Sequence, residues 1–180
     1  MVAEFYEFNP TLRITVGAIG QPGQRVFLLQ ASDAARMISL RLEKEQVYAL
    51  ARGIDELLKE LEQREVRPTS SAEEPPEADL ALREPAEAAF AVGQMGLAFD
   101  QSSDMMVLIV QEALPEEQKE GSAALARFWV SLGQIRALSR LAKDVVAKGR
   151  PICPLCQQPI DPDDHFCPRG NGHGKKVSLS

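Results

Sequence analysis

Short runs of alternating polar and apolar residues open the chain, and long runs of helical period follow them. Phe5-Tyr6-Glu7-Phe8 is stopped by Asn9-Pro10, and Arg13-Ile14-Thr15-Val16 alternates as a half-buried strand does. Gly20-Gln21-Pro22-Gly23 reads as a hairpin turn, because proline presets one φ and glycine permits a positive one. Val26 to Gln30 and Met37 to Leu42 supply two further strands. The period then changes. Val47, Leu50, Ala51, Ile54, Leu57, Leu58 and Leu61 form one stripe of a helix predicted from about Glu43 to Arg64, with charged residues on its other face.

The second half looks like the first. Val16-Gly17-Ala18-Ile19-Gly20 returns as Val92-Gly93-Gln94-Met95-Gly96, and Phe27-Leu28-Leu29-Gln30 as Leu108-Ile109-Val110-Gln111. Gln46-Val47-Tyr48-Ala49-Leu50-Ala51-Arg52 returns as Gln134-Ile135-Arg136-Ala137-Leu138-Ser139-Arg140. The offset grows from match to match, as loop insertions require, and Leu114-Pro115-Glu116-Glu117 is one candidate insertion. A second helix is predicted from about Gly133 to Lys148, ended by Gly149 and Pro151; Phe128 and Trp129 fall on a strand before it and read as core. The fold class expected is α+β: two duplicated β-sheet-plus-helix units packed as a pseudo-dimer, followed by a zinc-ribbon-like tail. The expected boundaries are a first β4α repeat at 1–66, a linker at 67–89, a second repeat of three or four strands and a helix at 90–149, and a metal-binding tail at 150–180.

Composition changes this picture in one place. The stretch 67–89 is rich in Pro, Glu, Ala and Ser and carries −4 of the chain's net charge of −6. Such a segment is expected to stay flexible, because it offers little apolar surface against the entropy of ordering. The rest of the chain is then close to neutral, with no strongly basic face to draw nucleic acid. No basic start followed by an apolar run and no long apolar stretch occurs, so a cytoplasmic location and no membrane association are expected.

The candidate chemistry lies at the C-terminal end. All three cysteines fall between positions 153 and 167, and both histidines lie in the tail. Cys153-Pro154-Leu155-Cys156 is a Cys-x-x-Cys pair whose turn brings two thiolates together, with backbone N–H groups supporting the sulfurs. Cys167 is the third thiolate. A histidine completes a Cys₃His tetrahedron: either His165, two residues before Cys167, or His173, beyond the flexible Gly170-Asn171-Gly172. Soft sulfur ligands favour a structural zinc over magnesium or calcium. Redox use of the Cys-x-x-Cys pair and a catalytic zinc with an open position are weaker readings.

Elsewhere the signals are negative. Gly17-x-x-Gly20-x-x-Gly23 is followed by a strand rather than the helix N-terminus that a phosphate loop requires. No histidine precedes position 165, which excludes a Ser-His-Asp or Cys-His device in the body.

Taken together, Val16-Gly-x-x-Gly-x-Pro-Gly-x-Arg25 with Phe27-x-Leu-Gln30, Leu42-Glu-Lys-x-Gln46, and Cys153-Pro-Leu-Cys156 with His165-x-Cys167-Pro-Arg169-x-Asn171-Gly172 resemble a bacterial domain of unknown function of about this length. The resemblance covers most of the chain and implies no activity. It also implies His165 as fourth ligand, since the family position matching His173 often carries another residue. The function expected is a non-enzymatic, zinc-containing binding or adaptor protein with a protein partner. The alternative is single-stranded nucleic-acid binding through Arg13, Arg25, Arg36 and Arg41 with Phe5, Tyr6 and Phe27 as stacking platforms. A second alternative is an enzyme or ligand-binding site between the repeats, for which no residue set is evident.

Overall fold

The computed structural model describes residues 2–21, 23–118, 120–148, 153–157 and 167–168. In chain order the elements are β1 (Phe5–Phe8), β2 (Arg13–Ile19), β3 (Val26–Ser32), β4 (Met37–Leu42), α1 (Lys44–Gln63), β5 (Phe90–Asp100), β6 (Met105–Glu112), β7 (Leu125–Val130) and α2 (Leu132–Ala147). The class is α+β. The strands form one seven-stranded mixed sheet in the order β1-β7-β6-β5-β4-β3-β2, rather than a separate sheet for each half.

Two antiparallel meanders make up this sheet, β2-β3-β4 and β5-β6-β7, each running straight into a helix. They join through a short parallel contact in which Leu40 faces Phe90 and Arg41 faces Ala91. β1 does not extend the first meander into a four-stranded unit. It pairs in parallel with β7, Phe5 to Phe8 facing Leu125 to Phe128. Strand pairing follows available edges rather than sequence order, and β7 offers the edge.

That pairing forces the sheet to curl. Laid flat, seven strands would hold their outermost members roughly 29 Å apart. β1 and β2 are those members, yet the chain from Phe8 to Arg13 can reach only about 17 Å. The closure is visible in two consecutive residues: Thr11 N donates to Trp129 O on β7 at 2.9 Å, and Leu12 N to Ser32 O on β3 at 2.9 Å. The concave side holds the core, where Val16, Leu29, Leu40, Leu108 and Phe128 meet Ile54 and Leu138 of the helices.

Each helix is started by a glutamine that also reaches into the other half. Gln46 Oε1 accepts from Glu43 N at 2.8 Å while its Nε2 donates to Val92 O at 2.8 Å, where β5 begins. Gln134 Oε1 accepts from Ser131 N at 2.9 Å while its Nε2 donates to Thr11 O at 2.9 Å, just before β2. Ser131 Oγ accepts from Gln134 N, completing a capping box. The helices also pack on each other, with Asp55 between Ser139 Oγ (2.7 Å) and Lys143 Nζ (2.6 Å).

Within the segment 67–89, expected to be a flexible linker, residues 79–83 cross the convex face of the first meander as a strap. Gln30, wholly buried on β3, exchanges two bonds with one residue of it: Arg83 N donates to Oε1 at 2.9 Å, and Nε2 donates to Arg83 O at 2.8 Å. Buried Arg13 donates to the carbonyls of Asp79 (2.8 Å) and Ala81, and Thr15 Oγ1 donates to Leu80 O. Upstream, Gly133 N donates to Ser71 O at 2.8 Å, and a Cβ on Gly133 would lie 1.9 Å from Glu73 O, so only glycine fits there. The segment is therefore held through its backbone, which composition does not register.

Trp129, the only tryptophan, is partly exposed; its Nε1 donates to Asp100 Oδ2 at 3.2 Å, while Phe128 beside it is fully buried. Hydrogen bonds from Ser102, Ser103 and Trp129 hold the Asp100 carboxyl well below the usual carboxylate range.

Two outcomes follow. Gln30→Ala strands Arg83 N–H, Arg83 C=O and part of Arg13 without partners. It should lower unfolding free energy by about 2–3 kcal/mol in urea titration and open the chain to trypsin at Arg83; unchanged stability and resistance would mean that the strap is held otherwise. Because its folded-state pKa is depressed, Asp100 keeps its charge, and its bond to Trp129, as pH falls through the ordinary carboxylate value of about 3.8. Trp129 emission should therefore change only below that pH, and Asp100→Asn should remove the transition.

Candidate metal centre

Cys153 and Cys156 sit at the ends of a tight turn. Gln157 N donates to Cys153 O at 2.8 Å, and Gln157 itself takes a φ of 59°, a conformation a non-glycine residue adopts uncommonly. The turn aims its amides at sulfur. Backbone N–H groups of Cys156 and Leu155 donate to the Cys153 thiol and pull its pKa down to about 6.

Cys167 comes back to this turn from fourteen residues downstream, its Sγ 3.8 Å from that of Cys153. All three sulfurs lie within 4.8 Å of one another. Cys153 and Cys167 are buried and Cys156 is half-buried. The 3.8 Å separation is informative. A disulfide needs about 2.05 Å, so these are separate thiols, and none of the three is bridged. Four ligands at about 2.3 Å around a tetrahedral ion stand about 3.8 Å apart. The spacing matches the edge of a coordination tetrahedron, and the three cysteines could hold a metal ion. His165 and His173, the two candidates for the fourth position, lie outside the described residues.

The residues considered for single-stranded nucleic acid do not come together on one surface. Arg13 is buried beneath the strap, and Phe27 is 7% exposed in the core cluster. Arg25 lies over the Phe27 ring at 5.1 Å, and Arg36 over Phe8 at 4.5 Å. Arg41 and Phe5 are exposed, and Tyr6 is hydrogen-bonded to Glu4. A cleft of about 730 Å³ lies between the end of α1 and the start of α2; it is lined by opposite charges, among them Asp55, Glu62, Arg67 and Arg136. Among the described residues, no helix is long and apolar enough to cross a membrane.

A family model described as "Protein of unknown function (DUF3090)" matches residues 6–167, which is most of the chain. The protein belongs to that family. The matched span takes in the sheet from the second residue of β1 onward and both helices, and ends at the third cysteine. Searches of the curated proteins and of the solved structures find no match.

If the three sulfurs share an ion, metal should shield them from reagents. Protein purified without chelators should react slowly with a thiol-specific disulfide reagent and release three equivalents once a chelator is added. Three fast equivalents before chelation would contradict a shared ion.

Proposed function

We propose that the protein is a non-enzymatic binding or adaptor protein with a structural zinc ion at its C-terminal end, and that its partner is a protein. The observation that carries the metal reading is the 3.8 Å Cys153–Cys167 sulfur separation. Three thiolates favour zinc over the hard, oxygen-seeking cations. His165 is the fourth ligand in this reading. It falls inside the span matched by the family model, whereas His173 falls beyond its end at residue 167. Four protein ligands close the coordination sphere, leave no position for a reacting water, and make the ion a structural brace. Unbridged cysteines suit a reducing compartment, which supports a cytoplasmic location.

Binding is supported by what the zinc would hold in place. Leu155, at the tip of the turn between two ligands, keeps 52% of its surface exposed, an apolar contact on a rigid support. We read the body as an internal duplication. The sequence matches fall on β2 and β5, on β3 and β6, and on α1 and α2, although the ladders set Gly17 in correspondence with Gly96 rather than Gly93, and the two capping glutamines, Gln46 and Gln134, make equivalent bonds.

Metal analysis of the wild-type chain should find about one zinc per molecule, with little left in Cys153→Ser, Cys167→Ser or His165→Ala, and retention in His173→Ala. Loss in His173→Ala with retention in His165→Ala would reverse the ligand assignment. Co-purification from native lysate, with and without residues 151–180, tests the adaptor role; a monomer that captures no protein would sink it.

A further inference from the structure

The convex faces of the two meanders correspond row by row, and among the described residues only the first is covered by another segment. In the first meander Thr15, Gln30 and Ser39 are ladder partners in one row, and Gly17, Leu28 and Arg41 in the next row on that face. In the second meander the rows are Gln94, Gln111 and Leu125, then Gly96, Ile109 and Arg127. Residues two apart on a strand share a face, so both sets point away from the core. Glutamine stands at the same place in both first rows, and glycine and arginine at the same places in both second rows.

On the first meander the strap occupies these rows. The Gln30 amide pairs with the Arg83 backbone, and the preceding strap residue, Leu82, fills the space above Gly17. A Cβ on Gly17 would stand 2.7 Å from Leu82 Cγ. Beneath the strap Leu28 is only 2% exposed.

The second meander has the same features, and no described segment lies over them. A Cβ on Gly96 would meet nothing within 4 Å. A positive φ does not call for glycine there, since among the described residues the positive-φ glycines are Gly20 and Gly23. Glycine inside a strand weakens it and often marks a bulge, a tight bend or a close approach by another backbone; the register shift of β5 lies at Val92/Gln94, before Gly96. Gln94 and Gly96 are exposed, while Ile109, Gln111 and Leu125 are half-buried. Arg127 adds an independent sign: its Nε is buried with no hydrogen-bond partner. A buried N–H donor without an acceptor is unfavourable; the guanidinium lies 5.2 Å over the Phe5 ring, and a peptide carbonyl could meet its Nε as the carbonyls of Asp79 and Ala81 meet Nε and Nη2 of Arg13, whose Nη1 stays unpartnered.

We propose that the convex face of the second meander is a docking site for an extended, leucine-containing segment of a partner protein. The segment lies as the strap lies on the first face. A leucine side chain seats over Gly96, the Gln111 amide pairs with the backbone of the next residue, and Arg127 Nε donates to a segment carbonyl. The inference rests on the protein-binding reading and gives it a face and a partner chemistry.

The chain supplies its own probe, a blocked synthetic peptide with the sequence Asp79-Leu80-Ala81-Leu82-Arg83-Glu84-Pro85. Titrated into the full-length, metal-loaded protein, it should give saturable amide shifts at Gly96, Ile109 and Gln111. Gly17 and Gln30 should stay silent, because the tethered strap holds that face at high effective concentration. Gly96→Val, which fills open space and should leave the rest of the amide spectrum in place, should weaken the peptide roughly tenfold or more, as should Leu82→Gly within the peptide. Gln111→Ala is the second variant should Gly96→Val fail to fold, with weakening again expected. No shifts at millimolar peptide, shifts centred on Gly17 and Gln30, full affinity in these variants, or self-association of the chain through Gly96 would each overturn the proposal. A partner captured from lysate but cross-linked elsewhere would remove this face and leave the protein-binding reading standing; peptide binding in a chain that captures no partner would do the reverse.

Discussion

When the two outermost strands of a sheet are consecutive in the chain, the link between them decides the shape of everything else. Residues 9–12 are too few to cross a flat seven-stranded sheet, so β1-β7-β6-β5-β4-β3-β2 rolls until its edges approach. Rolling gives the sheet two unlike sides. The concave side receives both helices and the apolar core. The convex side is left to be covered piecemeal, and the chain covers one meander with its own residues 79–83.

Much of this could be read from the sequence, and the legible parts are the local ones. Met37–Leu42 is a strand as expected, and α1 and α2 fall within a residue or so of the helices predicted from their apolar stripes. The Cys-x-x-Cys spacing and a third cysteine anticipated three converging sulfurs, because the geometry of one turn decides most of it. The non-local parts were hidden. Nothing in Phe5-Tyr6-Glu7-Phe8 says that its partner is Leu125 to Phe128 rather than β2.

The strap was misread for a different physical reason. Its side chains are acidic or small, and side chains are what composition measures. Its attachment runs through carbonyls and amides, which every sequence possesses equally. The signal lay in the receiving strands. Arg13, Thr15 and Gln30 stand at outward positions yet are buried, and a buried outward-facing polar residue requires something polar above it. Leu80 and Leu82 were the two large apolar residues in a stretch otherwise poor in them.

The two capping glutamines bear on how the molecule can be taken apart. Gln46 starts α1 but binds the beginning of β5, and Gln134 starts α2 but binds the residues leading into β2. The capping bonds are local, but the carbonyls that accept from each glutamine's side-chain amide lie in the other half. Separated at the strap, each half would expose the concave surface of a three-stranded ribbon and leave a glutamine amide pointing at solvent. Such fragments would be poor domains alone but well suited to reassociate. Fragment complementation is thus expected of this architecture, provided that the fragment with β2-β3-β4 keeps residues 79–83, which cover its convex face.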